Sequence, residues 1–248
     1  MLLPLLIVGL VSAQIHPGEV SHALESVSVA GTSVALRTSE GDEAVAEQVR
    51  RVLPRAMRLA TRWGPLPVAV ALTVHPTHAG LEAATRRTGN PWMRAWARVG
   101  AVDLQSPRTW SRGRASDEAL TQILAHELTH CALFQATGRD GRAGRIPLWF
   151  QEGMASVAAG ERHDVARAEA IGSPGPFLRT DPAVVYGTAD RAFRELVDRF
   201  GEDGVRRVVA RLGEGHAFPA AFHGALGVTL ADFEGDLVGR LSALAVRD

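Results

Sequence analysis

The sequence contains no lysine: all 27 of its Lys+Arg residues are arginine, and they are matched by 27 acids. The arginines are dispersed along the chain, so net neutrality gives no electrostatic reason to expect a nucleic acid or an anionic surface as partner. There is a single cysteine, Cys131, which excludes an internal disulfide and reads as a small buried hydrophobe. There is also a single tyrosine, Tyr186. The apolar start is shorter than the about 20 residues a helix needs to cross a bilayer, and no internal repeat or low-complexity tract interrupts the chain.

Histidine is where the sequence becomes specific. In His126-Glu127-Leu128-Thr129-His130 the two histidines are four positions apart, and a helix turning roughly 100° per residue puts both imidazoles on one face, where one zinc ion can take them. Glu127 lies between them, placed to act as general base on the water that attacks a carbonyl. The surroundings predict a helix. Ser116 is a cap, Asp117 and Glu118 fill a first turn, and residues 117 to 137 run without Pro or Gly until Gly138. Leu120, Ile123, Leu124, Leu128 and Cys131 recur at helical spacing, so the helix is expected to be largely buried.

A catalytic zinc usually keeps three protein ligands and one open position. A third histidine close behind the pentad is excluded, because the positions that would carry that pattern hold Leu133 and Ala136. Asp140, in the turn after the helix, is one candidate, against which stands its place in the glycine-bounded run Gly138-Arg139-Asp140-Gly141. Glu152 is the other. Flanked by Leu148, Trp149, Phe150, Met154, Ala155 and Val157, its carboxylate would lie near a core and need a partner to stay ionised. Gly153 and Ala155 are expected to let this second helix pack closely on the first. Ser156, one turn beyond Glu152, shares its face and could bond a ligand.

The pentad, its spacing to Glu152 and the run Pro147-Leu148-Trp149-Phe150-Gln151-Glu152-Gly153-Met154-Ala155 resemble the gluzincin metallopeptidases, in particular the peptidase MA-like domains. The resemblance covers residues 116 to 160 and, more loosely, 67 to 212. It implies that His126, His130 and Glu152 bind Zn2+, that Glu127 is the catalytic base, and that the substrate is a peptide or protein. Gluzincins commonly add a tyrosine or histidine that hydrogen-bonds the oxyanion, for which Tyr186, ahead of an expected helix over Thr188 to Phe200, is the candidate. His163, His216 and His223 lack ligand spacing, and His163 reads as part of a polar turn. A zinc-stabilised binding domain without catalysis, its fourth position closed by Asp140, is the alternative from another class, and a metal-free scaffold is a third.

Residues 27 to 37 predict a hairpin around Gly31, residues 42 to 62 a helix, 67 to 74 a strand, 77 to 88 a helix and 97 to 105 a strand. Strands then cease. The expected fold is α+β, zincin-like: a small twisted sheet packed on the zinc-binding helix, then a mostly helical C-terminal half with breaks at Gly160, 172–176, Gly201 and 213–215. By the resemblance, the strand before the zinc helix is an edge that binds substrate backbone, with Arg94, Trp96 and Arg98 alternating on its approach. Residues 1–13 resemble a signal peptide cleaved after Ala13, though without its usual basic residue, which leaves 14–248 as one domain, exported if the leader is used and cytoplasmic if the start is misassigned.

Overall fold

The computed structural model describes residues 21–29, 31–110, 115–138, 146–171 and 181–245. The leader-like segment, Asp140 and the loop at 172–176 lie outside them. Strands β1 (Ser21–Val29), β2 (Thr32–Ser39), β3 (Ala69–His75), β4 (Ala95–Arg98) and β5 (Ala101–Gln105) form one sheet in the order β1-β2-β3-β5-β4. Pairing is parallel for β2–β3 and β3–β5 and antiparallel at the two margins. The helices are α1 (Glu43–Ala60), α2 (His78–Thr85), α3 (Asp117–Thr137), α4 (Leu148–Ala159), α5 (Pro182–Gly213), α6 (Phe218–Leu226) and α7 (Leu230–Ala245). The fold is α+β, as expected, with the described strands all preceding α3.

Register explains which face of the sheet is apolar. Val34 pairs with Val70, Leu36 with Leu72, Leu72 with Val102 and Val74 with Leu104, so same-face neighbours are all aliphatic. That face is covered by α1, through Val45, Val49, Val52 and Leu53, and by α3, through Leu120, Leu124 and Leu128. Each such side chain removed from water contributes about 1.5–3 kcal/mol. Cys131 lies in the same core, fully buried, with its thiol 3.4 Å from the Arg98 carbonyl. Burial pushes that thiol up to about 12, which removes it as a nucleophile at neutral pH.

The opposite face is polar and carries α2, whose Leu81 is fully buried. There Asp103 of β5 is buried, with Oδ1 2.9 Å from His75 Nε2 on β3 and Oδ2 accepting from the Arg98 guanidinium on β4. Three strands are thus tied across by one carboxylate.

The helical half has its own core. Phe150, Phe193, Phe218, Phe222 and Phe233 form a chain of ring pairs with centroids 4.9 to 5.8 Å apart, joining α4, α5, α6 and α7.

Three expectations need correction. The strand expected over 97–105 is two strands folded on each other at Gly100, which makes β4 the sheet edge and β5 an interior strand. The helix expected from Thr188 begins at Pro182, capped by Asp181 Oδ1 accepting from the Ala183 N–H at 2.9 Å. It passes through non-helical backbone at Gly201 (φ 69°, ψ 168°) and continues to Gly213. Val184 and Val185 hid its start, since β-branched residues weaken a helix signal. Finally, Gly153 does not serve contact with α3. A Cβ there would lie 2.2 Å from the Ala189 carbonyl oxygen and 2.5 Å from Phe193 Cβ, so it is α5 that approaches α4 at this glycine.

Burial alone would raise the Asp103 carboxyl, but the His75 hydrogen bond and the Arg98 charge outweigh it and hold it below its ordinary 3.8. A carboxyl depressed in the folded state stabilises the fold above its unfolded value and loses that contribution as pH falls through the folded one. Asp103→Asn is therefore expected to lower stability by about 1.5–3 kcal/mol at pH 7. The deficit should shrink as pH drops below about 4, and urea titrations at pH 7 and pH 3 would measure both. A deficit independent of pH would contradict the assignment.

Candidate metal centre and cleft

Ser116 starts α3 by accepting the Ala119 N–H at 3.1 Å, and the helix carries His126 and His130 buried on one face. α4 brings Glu152 to the same place. His126 Nε2 and His130 Nε2 are 3.2 Å apart, Glu152 Oε2 is 3.3 Å from the first and 3.4 Å from the second, and the triangle is nearly equilateral. An ion bonded tetrahedrally at about 2.0–2.1 Å needs ligand atoms about 3.3–3.4 Å apart, so the donor set fits zinc without rearrangement. Among the described residues these three form the one His/Cys/Asp/Glu group so clustered.

The charge balance points the same way. Burial opposes ionisation of Glu152, but the His130 charge and hydrogen bonds from both histidines bring it down to about 2. Burial likewise opposes a charge on His126, yet Glu161 and Glu152 hold its pKa well above 6.5. Positive charge is favoured at the centre of the cluster, and a metal ion would supply it.

Glu161 is the residue that sequence reasoning missed. It lies just past Gly160, whose left-handed backbone ends α4 and turns the chain back toward α3. Glu161 Oε2 is 3.1 Å from His126 Nδ1 and 3.3 Å from His163 Nε2, and despite burial these histidines keep the carboxyl far below its usual range. A carboxylate on the far nitrogen of a ligating histidine fixes its tautomer and orientation. Ser156 accepts the Glu161 N–H at its carbonyl, at 3.0 Å, and its side chain helps to hold the Glu161 carboxyl low. The available signal was an acid placed two residues before a histidine, directly after the glycine that ends α4.

Residues 161–167 are fastened to α5. Arg194, paired with Asp190 at 2.9 Å, donates to the Glu161 carbonyl at 2.7 Å, and Thr188 Oγ1 accepts the Arg167 N–H at 2.9 Å. A Cβ on Gly187 would lie 1.7 Å from the Val165 carbonyl oxygen, so glycine alone allows this approach.

A cleft opens beside the cluster, bordered by Glu127, His126, Glu161, His163, Tyr186 and Trp92. Burial raises the Glu127 carboxyl, against the pull of the two histidines. Tyr186 lies within the first turns of α5 and not ahead of it, its ring 6.2 Å from that of His126 and stacked on His163 at 6.1 Å. Burial and the neighbouring carboxylates Glu152, Glu127 and Glu161 push its hydroxyl well above 10, so it remains a donor. His163, in the irregular segment that follows α4 as expected, thus borders the cleft.

No protein-family model matches the chain, and no curated protein matches it in sequence. Solved structures do resemble it. An M1 zinc metallopeptidase from Deinococcus radiodurans superposes with a TM-score of 0.52 at 16% identity, covering 88% of this chain and 50% of that one. Aminopeptidase A of Legionella pneumophila, in complex with aspartic acid, gives 0.53 at 13% identity, over 86% and 27%. The fold is thus one it shares with parts of these two proteins. The chain spans half the length of the first of these proteins and about a quarter of the second, and at such identities the likeness is one of fold.

Replacing Glu161 with Gln removes the charge that orients His126 while keeping the shape. Zinc affinity, measured by competition with a chromogenic chelator, is expected to fall about 10–100-fold with the circular dichroism spectrum unchanged. Undiminished affinity would show that Glu161 does not support the centre.

Proposed function

We propose that the protein is a zinc-dependent peptidase in which His126, His130 and Glu152 hold the metal and Glu127 is the general base. The observation that carries this reading is the near-equilateral donor triangle with Glu127 beside it, facing a cleft. Zinc, when bound in such a set, lowers the pKa of water and polarises a carbonyl. Glu127 accepts the proton of the attacking water and passes it to the leaving amine, a task that suits a carboxylate whose proton affinity burial has raised. Tyr186, kept protonated, donates to the oxygen on which negative charge develops. Glu161 keeps His126 in its ligating orientation.

The substrate class is peptide, and hydrolysis of its backbone amide is the reaction. A zinc-stabilised binding module would need a fourth protein ligand, for which Asp140, outside the described residues, is the candidate.

Elemental analysis should find about one zinc per chain, lost in Glu152→Ala. Glu127→Gln is expected to keep the metal and abolish hydrolysis, whereas His126→Ala loses both. Tyr186→Phe should lower kcat about 10²–10³-fold with zinc content unchanged. Stoichiometric zinc with no hydrolysis of any peptide, and unfolding when the metal is stripped, would replace this reading with the binding module.

A further inference from the structure

We infer that Arg94 holds a carboxylate of the substrate in the cleft that Glu127 borders, so that the peptides turned over are those carrying an anionic group within its reach. The inference rests on the peptidase reading and adds to it a substrate class.

Arg94 differs from the arginines around it in having no acid to meet. Arg98, two residues on and on the same side of β4, is paired with Asp103. Arg62 meets Glu202 at 2.6 Å, and Arg194 meets Asp190 at 2.9 Å. Arg94 is half-buried, yet its hydrogen bonds all go to neutral oxygens: the carbonyls of Pro91 at 2.7 Å and Met93 at 3.3 Å, and Gln105 Oε1 at 3.4 Å. No carboxylate lies within ion-pair distance of it among the described residues. The acids nearest in the cleft do not neutralise it, since Glu161 is taken by His126 and His163 and Glu127 makes no ion pair with it. A charge drawn partly out of water is costly while unmatched, and a ligand carboxylate would match it.

The way the guanidinium is held leaves the right edge free. All three bonds are made by Nη1. Nε and Nη2 have no partner among the described residues and are not shut off from solvent. Their N–H bonds lie side by side on one edge of the guanidinium, the fork that grips both oxygens of a carboxylate at once. The support behind Nη1 is firm. Gln105 is buried, its Nε2 donates to Thr109 Oγ1 at 3.1 Å, its Oε1 lies 3.1 Å from His78 Nδ1, and its N–H donates to the Arg94 carbonyl at 2.8 Å. Arg94 is thus placed before any ligand arrives, which lowers the entropy lost on binding.

Arg94 borders the same cleft as Glu127 and His126, so a carboxylate seated on it belongs to the molecule whose carbonyl Glu127 serves. The cleft holds about 220 Å3, below the about 300–1,000 Å3 of pockets that enclose a whole small ligand, and so receives one group of a longer molecule. A peptide offers that group in two places, at its C-terminus and on Asp or Glu side chains. Both present the same two oxygens to the fork.

The test uses the zinc-loaded full chain and a library of short peptides made in three matched forms: a free terminal carboxylate with Gln inside, a terminal amide with Gln inside, and a terminal amide with Glu inside. One of the two anionic forms should exceed the neutral form in kcat/KM by about 10–100-fold, the first if Arg94 takes the chain end and the third if it takes a side chain. Arg94→Gln should bring that ratio to about unity with zinc content unchanged, and Arg94→Lys, a charge without the fork, should keep only part of it. Calorimetric binding of the three forms to zinc-loaded Glu127→Gln should give the same ranking. Equal turnover of all three forms by the unmutated protein overturns the inference while the peptidase reading stands. So does a loss in Arg94→Gln that is the same for all forms, which would assign Arg94 to holding the turn at Pro91 to Met93. If no form is cleaved or bound, the peptidase reading fails and the inference with it.

Discussion

Two imidazoles and three carboxylates converge in one buried cluster, and this group is balanced by a cation, by protons held on the histidines or by a proton on a carboxyl. Each buried carboxylate costs several kcal/mol of lost hydration unless something positive lies within reach. The proton affinity of His126 and the acidity of Glu152 and Glu161 express that demand from opposite sides. Hydrogen bonds to Glu161 and the close approach of the donor atoms direct the demand to a single point, and the spacing at that point suits zinc. The packing of α3, α4 and the strap after Gly160 is what assembles these charges, so the core and the site depend on each other.

Much of the assembly is done by α5, which carries none of the three clustered donors. It closes on α4 at Gly153, next to Glu152, and on the strap at Gly187, where any larger residue would collide with the Val165 backbone. Arg194 and Thr188 hold the strap by hydrogen bonds, which keeps Glu161 on His126 and brings His163 against Tyr186. The same helix thus supplies a cleft wall and anchors the outer carboxylate. Its far half, beyond the break at Gly201, leads into the aromatic core that unites α4 to α7.

What could be read from residues alone was local and periodic. Ser116, the acidic first turn and the apolar spacing of Leu120, Leu124 and Leu128 announce α3, because capping and helical periodicity act within a few positions. Aliphatic alternation likewise marked β2 and β3. The reading weakened where neighbours in space are distant in sequence. Glu161 sits in a polar run that resembles solvated turns, and nothing nearby shows that Gly160 folds it against His126. The turn at Gly100 that makes β4 an edge was hidden because residues on both sides of it are strand formers. Gly153 was rightly taken as a contact residue, but its partner proved to be α5.

By itself the sequence determined the residue types and their helical spacing: two histidines on one face of α3, an acid between them, and an acid within an apolar helix behind them. These follow from backbone geometry that every α-helix shares. Tertiary structure alone decided that Glu152 meets both histidines, that Glu161 orients one of them, and that Tyr186, Trp92 and Ile123 border a common cleft. Such contacts are set by how α4 and α5 pack, at Gly153 and Gly187, and the fit of one helix against another is a property of surfaces brought together by folding.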